Sequence, residues 1–102
     1  MKPAQVDISE TCQYITDVLH SPSAASGYIA LIDNTIQSLK NNPCRSPLVR
    51  NDYLASKGYR ITLVKKHLIF YIVHDEIKTV SVMRVLYERR DWLRLLRADD
   101  DE

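Results

Sequence analysis

The sequence has only two cysteines, Cys12 and Cys44, and no CxxC pair. That excludes a disulfide scaffold and a thiolate zinc site, and it reads as two reduced thiols serving as small, partly buried hydrophobes. The three histidines, His20, His67 and His74, show no metal-ligand spacing, so neither a metal nor another cofactor is expected. No apolar run approaches the ~20 residues that a membrane-crossing helix needs. No signal-peptide pattern stands at the N-terminus. A cytoplasmic protein without a membrane partner is the expectation. The 102 residues, 45% hydrophobic, suit one globular domain over 1–102 with a core of its own.

Net charge is also small, at +1, but its distribution is uneven. Residues 1–39 carry net −3, residues 40–98 carry net +8, and Asp99 to Glu102 carry net −4. A basic block between two acidic segments suggests a polyanionic partner; an ordinary solvated surface is the plain alternative. The acidic tail, 99–102, is expected to fray.

Pro3 suits the first turn of a helix. Ile8, Cys12, Ile15 and Leu19 then recur at helical spacing up to His20. Ser21-Pro22 is a cap followed by proline, and it opens a second helix with Ala25, Tyr28, Ile32, Ile36 and Leu39 on one face. "KNNP" (40–43) ends it. The join is short, which predicts an antiparallel helical hairpin. Residues 43–57 form a basic loop with Arg45 and Arg50 and a helical turn over 52–56. "GYRITLVKK" (58–66), "HLIFYIV" (67–73) and "KTVSVMRVLY" (78–87) suit pleated strands. The first break, near Lys65 to His67, contains no glycine or proline and predicts a tight turn or a bulge. The second strand is apolar at both parities, as a central strand covered on both sides is. Trp92, Leu95 and Leu96 then make one face of a last helix. The order is α-α-β-β-β-α: an α+β domain with a helical hairpin on a small antiparallel sheet and a C-terminal helix.

Arg60 enters the first strand and Arg84 interrupts the third, where simple alternation puts it on one face with Val80, Val82 and Leu86. An arginine there needs a paired fork or solvent. Guanidinium suits phosphate, so Arg60 and Arg84, with Lys65, Lys66, Arg89 and Arg90, are candidates for an anion cradle over an open sheet face. Tyr87 adds stacking or proton transfer. The alternative is that Arg84 pairs with Asp91 or Glu88 and only secures the strand end. Trp92 reads as a core anchor.

"GYRITLVKKHLIFYIV" followed by "VSVMRVLYERRDW", after a hairpin ending in "LKNNP", resembles the RelE/ParE superfamily of toxins from bacterial type II toxin–antitoxin modules. The resemblance spans nearly the whole chain. It implies a compact toxin neutralised by a cognate antitoxin. RelE-like and YoeB-like members cleave mRNA on the ribosome; ParE-like members inhibit DNA gyrase and cleave no RNA. The resemblance gives Arg60, Arg84 and Tyr87 catalytic places, the arginines on the phosphate. On a nuclease reading, Arg50, Lys65, Lys66, His67, Arg89 and Arg90 are expected to bind RNA. Where YoeB-like members carry a glutamate base before Pro-Leu, this chain has Ser46. Where they carry a histidine before the final tyrosine, it has Leu86. Family members open with a β-strand, whereas Met1-Lys2-Pro3 leads straight into a helix. The first family strand is expected to be missing, leaving a sheet edge prone to self-association or strand addition. The leading expectation is a ribosome-dependent mRNA endoribonuclease whose partners are ribosome, mRNA and antitoxin. A gyrase inhibitor, or a degenerate toxin kept as an antitoxin-binding protein, is the alternative.

Overall fold

A computed structural model describes residues 3–44 and 46–101, without the side chains of Pro3 and Asp99 to Asp101. Helix α1 (Pro3–Asp17) leads into α2 (Pro22–Asn41). The turn between them is built as the sequence indicates. His20 takes a left-handed backbone (φ 53°), and the Ser21 side chain accepts from the Ala24 N–H at 3.4 Å with Pro22 in the first turn. The short helix α3 (Asp52–Ser56) is capped by Asn51, which accepts from the Leu54 N–H at 3.1 Å. Gly58 (φ 86°) then turns the chain into the sheet, a backbone state few other residues adopt. Arg45 lies outside the described residues.

Strands β1 (Tyr59–Val64), β2 (His67–His74) and β3 (Thr79–Tyr87) form an antiparallel meander in the order β1-β2-β3. The break after β1 is a tight turn, with Lys65 at φ 54°. A 3₁₀ turn, Asp75–Ile77, joins β2 to β3 and ends at Lys78, also left-handed at φ 51°. Helix α4 (Trp92–Asp101) closes the chain. It continues through three of the four acidic residues expected to fray; Glu102 lies outside the described residues.

Both faces of the sheet are covered. On one, α1 and α2 pack Ala4, Ile32 and Leu39 against Val64, Ile69, Tyr71 and Val85. On the other, Val49, Leu54 and Leu96 meet Tyr59, Phe70 and Leu86, with the Trp92 ring tilted against Phe70 at a 5.4 Å ring separation. Ile69, Phe70 and Tyr71 are all fully buried, which is why β2 is apolar at both parities. Among the described residues neither face of the sheet is left open.

Simple alternation fails in β3. Arg84 pairs with Phe70 and Val82 with Tyr71, so Met83 is the extra residue of a β-bulge. Val80 and Val82 therefore pack on the helical-hairpin side, while Leu86 belongs to the opposite cluster. Arg84, paired with Phe70 of that opposite cluster, therefore keeps Leu86 on its face but not Val80 and Val82.

The outer edge of β1 is lined by the segment 47–49. Val49 N–H donates to the Tyr59 carbonyl at 3.0 Å and Ile61 N–H to the Pro47 carbonyl at 3.2 Å. Among the described residues no strand precedes α1, and β3 is the other edge; Met1 and Lys2 lie outside them. At that edge the Val85 N–H donates to the Asp7 carboxylate at 3.0 Å. No helix of the described residues is long and apolar enough to cross a membrane.

Candidate functional site

Arg84 occupies a buried clamp. Its Nε donates to Asp7 Oδ2 at 2.7 Å and its second fork nitrogen donates to Oδ1 at 2.8 Å. The side chains are only 13% and 5% exposed. A bidentate guanidinium–carboxylate pair satisfies the charge that a covered strand cannot leave bare. Asp7 Oδ2 also takes the Val85 N–H, so one carboxylate joins α1 to the β3 edge. The partner is thus neither Asp91 nor Glu88; Asp91 bonds Arg94 at 3.2 Å on the surface.

Arg60 is also held by the protein. It donates to the Ser46 carbonyl at 2.7 Å. The Ser46 hydroxyl, standing where YoeB-like members place a base, shares a short hydrogen bond with Thr62. The Tyr71 hydroxyl donates to the Pro43 carbonyl at 2.8 Å and ties the same loop to β2.

Tyr87 lies at the other end of the sheet. Its register partner is His67, which follows directly on the turn after Val64; Arg60 pairs with Tyr71, four residues further along β2. Strand rise and spacing put Arg60 and Tyr87 about 16 Å apart. The register thus sets Arg60 and Tyr87 at opposite ends of the sheet. Leu86 is buried toward the opposite face, so the position before Tyr87 is turned away from it.

What the fold brings together is a basic and aromatic end. Lys65 and Lys66 form the β1–β2 turn, and the Glu88 N–H donates to the Lys66 carbonyl at 2.8 Å, joining that turn to the loop that carries Arg89 and Arg90. All four basic residues are exposed. Beside them the His67 ring stands 5.0 Å from Tyr28 and 5.8 Å from Tyr87, tilted to both. Burial pushes the His67 imidazole below its ordinary range, against a smaller opposing pull from Glu88. Burial raises Tyr28, whose hydroxyl has no well-formed hydrogen bond among the described residues; the nearby Thr11 side chain offsets part of that rise. Arg50 is exposed in the loop beside the Arg60 end, away from the other five residues expected to bind RNA.

Next to this end lies a cavity of about 660 Å³ between the second half of α1 and the ends of β2 and β3. Ile15, Leu19, Val85 and Leu86 give it an apolar lining, with Tyr14, His67 and Tyr87 aromatic around it. No cluster of three potential metal ligands occurs among the described residues.

Sequence reasoning missed Asp7, Tyr14 and Leu19 as parts of these sites. Asp7 precedes Ile8 on the buried side of α1, and a carboxylate within an apolar stripe was the available signal. Tyr14 and Leu19 gave none, because an apolar residue on an amphipathic helix reads as core.

No curated protein matches the chain. A family model described as the ParE toxin of type II toxin-antitoxin system, parDE, matches residues 1–92, all of the fold up to the first residue of α4. Such a toxin has a cognate antitoxin as its partner. With helical hairpin, antiparallel meander and sequence match in agreement, the chain belongs to the ParE toxin family of type II toxin–antitoxin modules, within the RelE/ParE superfamily.

Proposed function

We propose that this toxin acts by binding its target, as a gyrase inhibitor of the ParE kind, and not by cleaving RNA. One observation carries the reading: the two arginines a nuclease would place on the scissile phosphate are occupied by Asp7 and the Ser46 carbonyl. RNA cleavage needs the 2′-hydroxyl deprotonated, the phosphorane stabilised and the 5′-oxygen protonated. The second task falls to cations aimed at one developing charge, and Arg60 stands about 16 Å from Tyr87. In this reading Arg84 is structural, Arg60 fixes the 43–50 loop, and Lys65, Lys66, Arg89 and Arg90 meet the target. The site of action is the cytoplasm.

A second reading has one observation in its favour. His67, kept toward its neutral form by burial, packs on Tyr87 beside Lys65 and Lys66. That pairing offers a base and a phenol at a basic surface, the minimum for a nuclease with its centre moved to this end.

The experiment uses purified toxin in two assays. Expected is loss of gyrase-driven DNA supercoiling with no cleavage of mRNA on translating ribosomes. Ribosome-dependent cleavage that disappears in His67→Gln or Tyr87→Phe overturns the proposal in favour of the nuclease. Inactivity in both assays, with antitoxin binding intact, identifies a degenerate toxin.

A further inference from the structure

A second cavity, of about 540 Å³, lies at the end of the sheet opposite to Lys65 and Lys66. It is bounded by the last turns of α2, by Pro43, and by the end of β2, the start of β3 and the Asp75–Ile77 turn between them. Strand rise puts Val73, on its wall, roughly 20 Å along β2 from His67.

The inner wall is aliphatic. Ile36, Val73 and Val80 pack against the helical-hairpin core and also line the cavity. Val73 and Val80 are register partners, so two neighbouring strands present valine at the same level. Pro43 is fixed by its carbonyl, which accepts from the buried Tyr71 hydroxyl at 2.8 Å. Strand pairing and one anchored loop therefore hold this wall in place.

The rim is charged. Lys40 comes from the last turn of α2, and Asp75 and Lys78 come from the turn before β3. All three are exposed. Among the described residues neither lysine stands within ion-pair distance of a carboxylate. Lys78 keeps its place with a left-handed backbone (φ 51°), a state that suits glycine or asparagine better. Strain of that kind gathers where a side chain is held for a ligand.

These features select one ligand chemistry. The volume falls within the roughly 300–1,000 Å³ of small-molecule pockets. No aromatic ring lines the cavity, so a base or ring finds nothing to stack on, whereas an alkyl chain fits. Two cations against one carboxylate favour a ligand with a single negative charge. A phosphate chain would meet Asp75 and the carbonyl end of α2. Lys40 offsets those carbonyls, which leaves Lys78 as the cation for the ligand.

We propose that this cavity binds a medium-chain aliphatic carboxylate. The alkyl chain lies on Ile36, Pro43, Val73 and Val80, and the carboxylate pairs with Lys78. The site is remote from the basic end, so the inference stands whether the toxin acts on gyrase or on RNA.

The test is an NMR titration of the isotope-labelled full chain with octanoate. Expected are saturable shifts at Ile36, Val73, Lys78 and Val80, and none of comparable size around His67 and Tyr87. Octylammonium reverses the charge and acetate removes the chain; each should bind at least tenfold more weakly. Lys78→Asn tolerates the left-handed backbone and removes the charge, and it should weaken octanoate at least threefold. Asp75→Asn removes the repulsion at the rim and should tighten it, an effect opposite to that of a damaged fold. An absence of saturable shifts overturns the proposal. So does octylammonium binding as tight as octanoate, or octanoate affinity unchanged in Lys78→Asn. Shifts spread over other exposed apolar residues, such as Leu19 and Leu63, identify nonspecific adsorption and also overturn it. Phosphatidylglycerol vesicles that reproduce the octanoate shifts assign the site to a membrane surface, with the same result.

Discussion

Two sets of arginines on one strand and its following loop meet opposite fates. Arg84 is drawn into the fold by a carboxylate 77 residues away, while Arg89 and Arg90, a few residues on, stay in water. The residue type is the same and so is its chemistry. What differs is burial: inside, a guanidinium must be paired; outside, it keeps its charge for a partner. The same contrast separates the two candidate roles of this molecule, one end holding itself together and the other presenting charge. Substitutions at the two ends should therefore separate stability from activity.

The largest effect belongs to the clamp. Asp7→Ala leaves the Arg84 charge buried without its partner and removes the acceptor of the Val85 N–H. The expected cost is about 3–5 kcal/mol, a large part of the ~5–15 kcal/mol that holds a domain of this kind. Urea unfolding measures it. Asp7→Leu combined with Arg84→Met removes both charges and should recover most of the loss. If Asp7→Ala costs less than about 1 kcal/mol, Arg84 is not structurally bound and its phosphate role revives.

The basic end should behave in the opposite way. Arg89→Ser with Arg90→Ser should leave unfolding within about 0.5 kcal/mol of the parent, as exposed positions do. Gyrase inhibition should fall at least tenfold. A double variant that keeps full inhibition removes the basic end from the target surface.

How much of this was legible is clearest along β2 and β3. "HLIFYIV" announced a strand covered on both faces, because burial on two sides removes the need for alternation. Ser21-Pro22 marked the start of α2 because capping is local chemistry. The Asp7–Arg84 pair was not legible, since no local pattern relates two residues so far apart. The bulge at Met83 was equally hidden: "VSVMRV" alternates as well without it, and the extra residue shows only in the pairing with Phe70 and Tyr71. That single residue reassigns Val80 and Val82 relative to Leu86. The family resemblance supplied the fold, and it placed Arg60, Arg84 and Tyr87 by sequence order. Order along the chain says nothing of which end of a strand a residue occupies, and the register separates Arg60 from Tyr87.

His67 stands at the boundary between the two behaviours, half-buried beside the basic end. Its folded pKa lies below its ordinary value of about 6.5 because burial disfavours the imidazolium. The unfolded chain therefore binds more protons below that pH. The contribution to stability is present above about pH 6.5 and is lost as the pH falls toward the folded pKa. Thermal unfolding followed from pH 7.5 to 5.5 should show a falling Tm, and the fall should be shallower in His67→Gln. An identical slope in the two proteins would place the proton uptake elsewhere.

The smallest effect sharpens the contrast at one residue, because Lys65 belongs to both sides of it. It carries charge for the basic end, and it holds the β1–β2 turn with a left-handed backbone. For a residue with a Cβ that conformation costs roughly 1–2 kcal/mol. Glycine removes the strain but brings back about 0.5–1 kcal/mol through the freer unfolded chain. Lys65→Gly should therefore be neutral or stabilising by up to about 1 kcal/mol, whereas Lys65→Val, β-branched at positive φ, should be clearly destabilising. Lys65→Asn tolerates the same backbone and removes only the charge. If both Gly and Asn fold as well as the parent and both bind the target less tightly, a strained lysine serves the surface at the expense of the turn. If binding is unchanged in both, Lys65 belongs to the turn alone and the charged end begins at Lys66.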